Sequence, residues 1–132
     1  MAEHNLLGQK GEEEACRYLT RCDYRLLHRN WRCGHLEIDI VAEDFGELVF
    51  VEVKTRRNEV FAEAIDAVTS EKKKNIIRAA RAYMACYRTD QPFRFDIITV
   101  IGEQPPFSIT HTENAFDTRS IDISKRKKYH EY

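Results

Sequence analysis

A chain of 132 residues has room for one domain and little for a second. Its 42% hydrophobic and 33% charged residues fit a soluble globular protein and exclude a disordered one. No apolar run approaches the ~18 residues of a membrane span, and the start lacks an apolar signal-peptide core, so a cytoplasmic protein with no membrane partner is expected. A net charge of −1 excludes a polycation that coats nucleic acid indiscriminately.

The first periodic stretch, Gly8 to Cys22, predicts a helix with Gly8, Gly11, Glu12, Ala15, Cys16 and Leu19 on one stripe. Glu13, Glu14, Arg17 and Arg21 fall on the other side, so Glu12 alone of its acidic run points inward. Tyr24 to Arg29 alternates like a strand and leads into Asn30-Trp31-Arg32. Leu36–Glu43 and Leu48–Lys54 predict two further strands joined at Asp44-Phe45-Gly46-Glu47, a hairpin turn. An irregular stretch from Thr55 to Phe61 follows.

Thr69 or Ser70 is placed to cap a helix from Glu71 to Tyr87, with Ile76, Ile77, Ala80, Tyr83, Met84 and Tyr87 inward. Phe93–Ile101 is an apolar strand closed by Gly102 and Pro105-Pro106, and Phe107–Thr112 a short last one. The order αβββαββ predicts an α/β fold, a mixed central sheet flanked by helices. Residues 1–116 form the expected domain, and 117–132 a mobile basic C-terminal tail ending in Lys125-Arg126-Lys127-Lys128.

The four cysteines make no CxxC pair and are expected to be free thiols, mostly buried. A zinc site from Cys22, His28, Cys33 and His35 is the alternative, at a spacing that matches no usual knuckle or ribbon.

The hairpin carries the chemistry. Side chains alternate along a strand, so Leu48, Phe50, Glu52 and Lys54 share one face, and Val49, Val51 and Val53 the other. If the loop is centred on Phe45-Gly46, Asp39 lies opposite Glu52 and Glu37 opposite Lys54. A three-residue loop would destroy that pairing. Opposed carboxylates ~5 Å apart repel by roughly 3 kcal/mol at an effective dielectric of 20. Lys54 and a hard divalent cation, Mg²⁺ or Mn²⁺, would offset that repulsion. Glu12, framed by small residues, is aimed at the same place. Ile38, Ile40, Val49, Val51 and Val53 are expected to anchor the opposite face.

These residues resemble the YraN-type family of small bacterial predicted endonucleases, themselves similar to archaeal Holliday-junction resolvases within the PD-(D/E)XK superfamily. The resemblance rests on Gly8-Gln9-Lys10-Gly11-Glu12 with Ala15, on Asn30-Trp31-Arg32, on Glu37-Ile38-Asp39, and on Phe50-Val51-Glu52-Val53-Lys54-Thr55-Arg56. Lys72, Ala80, Tyr83 and Arg94-Phe95-Asp96 continue it.

The resemblance implies a restriction-endonuclease-like fold and a nuclease, dependent on Mg²⁺ or Mn²⁺, acting on branched or damaged DNA. It makes Asp39, Glu52 and the Val53 carbonyl metal ligands, Lys54 the residue that orients water and stabilises charge on the phosphate, and Glu12 an additional acid. Relatives among the resolvases act as homodimers, which leaves that state open for this chain. Arg56, Arg57, Lys72, Lys73 and Arg78 are expected to contact backbone phosphates. The alternative is a noncatalytic nucleic-acid-binding or assembly module that keeps the same fold.

Overall fold

The computed structural model describes residues 2–59, with side chains from Leu6 onward, and 68–118. Within them the elements are α1 (Ala2–Arg21), β1 (Arg25–Cys33), β2 (Leu36–Asp44), β3 (Glu47–Arg56), α2 (Ser70–Cys86), β4 (Phe93–Ile101) and β5 (Ser108–Phe116). The order is the expected αβββαββ. The tail from residue 119, with its Lys125–Lys128 cluster, and Phe61 lie outside the described residues.

The strands form one five-stranded sheet in the order β1-β2-β3-β4-β5. Every neighbouring pair is antiparallel except β3–β4, which is parallel. A parallel pair needs a crossover, and α2 lies on that connection.

Among the described residues, one helix covers each face of the sheet. Ala15, Cys16 and Leu19 of α1 pack on Ile40, Ala42, Val49, Val51, Ile98 and Val100. Ile76, Ile77, Ala80 and Tyr83 of α2 pack on Val41, Leu48, Phe50, Phe95 and Phe116 across the sheet. The i, i+3, i+4 spacing of these helical residues is what lets one stripe meet a flat sheet. Thr69 caps α2, its Oγ1 accepting the Lys72 backbone N–H at 3.1 Å.

The hairpin turn has the two-residue geometry that the expected register requires. Phe45 (φ 49°) and Gly46 (φ 86°) both adopt left-handed backbone, as a type I′ turn demands. Ile40 accordingly faces Val51, and Ala42 faces Val49.

Several expectations need correction. β1 continues through Asn30 to Cys33, because asparagine tolerates the left-handed backbone (φ 50°) that keeps the strand paired there. β5 extends to Phe116, past the expected end at Thr112. Tyr87 is the C-cap of α2 and is 47% exposed, where an inward position was expected. Ile38 packs in the α2 layer rather than with Ile40. Only Cys16 is buried; Cys22, Cys33 and Cys86 occupy exposed positions near element ends. Cys22 precedes β1 and Cys33 ends it, which sets them apart by the length of a strand and disperses the zinc alternative.

Candidate active site

The sheet forks. β2 stays paired with β1 down to Leu36, but its pairing with β3 ends at Ile40 and Val51. β3 meanwhile stays paired with β4 as far as Arg56. The first turns of α2 close the gap between the parted strands. The result is a cavity of about 390 Å³ lined by His35, Leu36, Glu37, Asp39, Glu52, Thr69, Glu71, Lys72, Asn75 and Ile76.

Asp39 sits where the ladder stops. Its Oδ2 accepts the backbone N–H of Val53 at 2.9 Å, so the carboxylate serves a group that the ladder no longer does. Burial pushes the Asp39 carboxyl up to about 7, and the neighbouring Glu52 charge adds to that; the Val53 N–H opposes it, and Glu12 and Glu37 contribute smaller upward pushes. Asp39 and Glu52 are therefore brought together, as the register predicts.

Glu52 is held from α2. Its Oε1 lies 3.0 Å from Lys72 Nζ, with the glutamate side chain 12% exposed and the lysine side chain 55% exposed. Lys54 follows two residues along β3 and is 8% exposed. The alternation in β3 holds throughout: Leu48 and Phe50 join the α2 layer, Val49 and Val51 the α1 layer. Lys54 thus shares the Glu52 face, although it is not one of the residues lining the cavity.

Glu37 does not face Lys54. With β2 and β3 parted, it reaches across to β1 and pairs with Arg32 at 3.3 Å.

Glu12 arrives from the other face. The helix that bears it comes unusually close to β3: a Cβ on Gly11 would stand 2.9 Å from the Cβ of Thr55. Only glycine permits this approach, which places the next residue near enough to act on Asp39 electrostatically.

Among the described residues no three His, Cys, Asp or Glu side chains cluster closely enough to hold an ion by themselves. Of the four acids lining the cavity, Asp39 and Glu52 are brought together, with Asp39 driven to retain its proton by burial and by the Glu52 charge; the pair fits an ion that takes one or two protein carboxylates and completes its shell with water and phosphate. Magnesium binds in this way, and its smaller demand for protein ligands suits the site.

The five basic residues expected at phosphates do not converge. Lys72 lines the cavity. Lys73 lies over the Phe116 ring at 5.8 Å, Arg57 is 3.9 Å from Glu103, and Arg56 donates to the Thr55 carbonyl at 2.9 Å. Arg78 is exposed on α2.

A second polar cluster escaped the sequence reading. Asp96 is fully buried on β4, where Arg94 Nε donates to it at 3.0 Å and His111 Nε2 pairs with it at 2.7 Å. Asn114 N–H donates to the same carboxylate at 3.0 Å, and Tyr18 OH pairs with His111 Nδ1 at 2.9 Å. Burial alone would raise the Asp96 carboxyl, but the bonds from His111, Arg94 and Asn114 more than offset it and hold the group below the usual carboxylate range. An aspartate inside the apolar run Phe95–Ile101 was the available signal. His28 was also missed as a hub, paired through its two ring nitrogens with Tyr83 OH at 2.9 Å and Tyr87 OH at 3.3 Å.

Fold and site together define a mixed α/β protein whose central sheet parts over a carboxylate-lined cavity. The chain belongs to the family described as "Uncharacterised protein family UPF0102", which it matches over residues 11–100. It is similar to the UPF0102 protein of Phocaeicola vulgatus, 53% identical over 116 residues that cover 88% of this chain and 96% of that one. The UPF0102 protein of Bacteroides thetaiotaomicron is 55% identical over the same shares. That of Chlorobium phaeobacteroides is 44% identical, covering 85% of this chain and 94% of its own.

Proposed function

We propose that the protein is a metal-dependent nuclease that hydrolyses phosphodiester bonds in DNA, with branched or damaged DNA as the substrate class. The observation that carries this reading is the state of Asp39. Its carboxyl is buried beside Glu52 and pushed up to about 7, an electrostatic demand that a divalent cation satisfies. The order αβββαββ, the parallel β3–β4 pair and the helices on both faces fit the restriction-endonuclease-like fold that the sequence resembles.

On this reading Asp39 and Glu52 would hold Mg²⁺ or Mn²⁺, and the Val53 carbonyl, between Glu52 and Lys54 in sequence, would be the backbone donor. The cation, when bound, supplies the charge that acidifies water and polarises the scissile phosphate. The chain's own groups do the rest. Lys54 orients the attacking water and offsets charge that develops on phosphate oxygens, as a compact ammonium does well. Glu12 adds a negative charge from the α1 side that acts on Asp39.

The test is calorimetry with Mn²⁺ on the wild type, Asp39→Ala and Glu52→Ala, followed by incubation of the wild type with branched and linear duplexes. Binding lost in both variants, with their circular dichroism unchanged, and metal-dependent scission of the branched substrate support the reading. Salt-sensitive DNA binding without scission in any metal overturns it in favour of a noncatalytic nucleic-acid module.

A further inference from the structure

Lys72 and a cation would compete for Glu52. The Lys72 ammonium lies 3.0 Å from Glu52 Oε1 in the same cavity, so it neutralises a charge that an ion at the Asp39–Glu52 pair would draw on. The partners differ in freedom. Glu52 projects from the central strand with its side chain 12% exposed, whereas Lys72 is 55% exposed on a four-carbon stem. Its backbone, by contrast, is pinned by the Thr69 cap at 3.1 Å. When a divalent charge arrives, it attracts Glu52 and repels the Lys72 ammonium, and the lysine arm is free to swing.

We propose that Lys72 is an exchangeable counter-ion: it neutralises Glu52 in the metal-free protein and transfers to a phosphate oxygen of the nucleic-acid substrate when the cation takes Glu52. The inference rests on the metal-dependent reading above and adds an order of events to it. Lys72 begins at the cavity and needs a new anion there. Asn75, one turn further along α2, lines the same cavity and offers an amide donor beside it. The first turn of α2 presents its positive end to the same space. A phosphate entering with the cation would find these donors in the lining, where the cation offsets the opposing charges of Glu37 and Glu71. Lys72 is on this account a positioning residue whose charge is withheld from substrate until metal is loaded.

The experiment measures Mn²⁺ affinity by calorimetry for the wild type, Lys72→Met and Lys72→Arg, and duplex DNA affinity for the same proteins with and without Ca²⁺. Removing the competitor should tighten Mn²⁺ binding by about fivefold in Lys72→Met, the size expected for release of a half-exposed ion pair. Lys72→Arg, which keeps the charge, should match the wild type. DNA binding by Lys72→Met should fall about fivefold when Ca²⁺ is present and stay unchanged without it. Should Lys72→Met fail to fold, Lys72→Gln serves in its place.

Equal or weaker Mn²⁺ binding in the methionine variant overturns the exchange and leaves the metal site standing. Mn²⁺ binding in no protein, or binding that Asp39→Ala and Glu52→Ala retain, overturns the metal reading and the exchange together.

Discussion

Asp39 Oδ2 and the Val53 backbone N–H form a 2.9 Å hydrogen bond at the point where β2 and β3 part. The bond joins one member of the carboxylate pair to the backbone between Glu52 and Lys54, so the same group shapes the fork and equips the site. Asp39→Ala should therefore destabilise the protein by about 1–3 kcal/mol, the cost of stranding a buried donor. Asp39→Asn keeps an acceptor and should cost clearly less. Urea unfolding of the two variants at one pH separates these outcomes.

The raised carboxyl of Asp39 sets a pH dependence. Folded, it releases its proton near 7; unfolded, near the ordinary ~3.9. Between these values the folded protein binds more protons, so stability falls as pH rises from ~4 toward ~7, by a total on the order of a few kcal/mol. Unfolding free energies measured in chelator should show this decline in the wild type, and Asp39→Asn should abolish its part of the slope. Mn²⁺ should stabilise the wild type more at the upper end of the range, where no proton has to leave.

Gly11 reverses the usual effect of alanine in a helix. Alanine ordinarily gains up to about 1 kcal/mol over glycine there. At Gly11 the new Cβ would stand 2.9 Å from the Thr55 Cβ, so Gly11→Ala should instead cost about 1–3 kcal/mol. By lifting Glu12 off the sheet it should also lower the Asp39 pKa, readable by NMR titration of the carboxyl carbons.

Phe45 is poorly matched to its backbone. It is 97% exposed at the turn and holds φ 49°, a region that asparagine enters far more readily. Phe45→Asn gives the Asn-Gly pair that type I′ turns favour and should raise stability by up to about 1 kcal/mol. Thermal unfolding checks this, and Mn²⁺ affinity should not change.

The Asp96 cluster belongs to stability. Asp96→Ala leaves Arg94 its Asp44 and Glu47 partners but strands the Asn114 N–H and His111 that met on the carboxylate, which costs about 1–3 kcal/mol. Because the Asp96 carboxyl is held below its ordinary range, its contribution is present above ~3.9 and is lost as pH falls through the folded value. Denaturant titrations of wild type and Asp96→Ala should converge only in strong acid.

The hairpin was legible because its turn admits two residues: Phe45-Gly46 fixes the register, and alternation then assigns every side chain of β3. Glu12 was legible for a similar reason, since helical spacing sets it on the stripe of Gly11 and Ala15. The rest depended on contacts between distant parts of the chain. Nothing local places Lys72 on Glu52, or Arg94 on Tyr24, whose OH accepts from Arg94 at 2.7 Å. The departure of β2 from β3 was equally hidden, because Leu36–Asp39 keeps a strand pattern whether it pairs on one side or two. Hence Glu37 was expected at Lys54, though it serves Arg32.

The fork makes the distance between Asp39 and Glu52 a mechanical variable. Asp39 moves with the β1–β2 ribbon and Glu52 with the three-strand slab β3–β4–β5, while the last shared rung lies at Ile40 and Val51. Beyond that rung no ladder bond fixes the separation of the two carboxylates, and the Asp39–Val53 bond spans the gap in its place. A ligand bridging them would act as a tie rod, and amide hydrogen exchange at Ile40 and Val51 would slow as it loads.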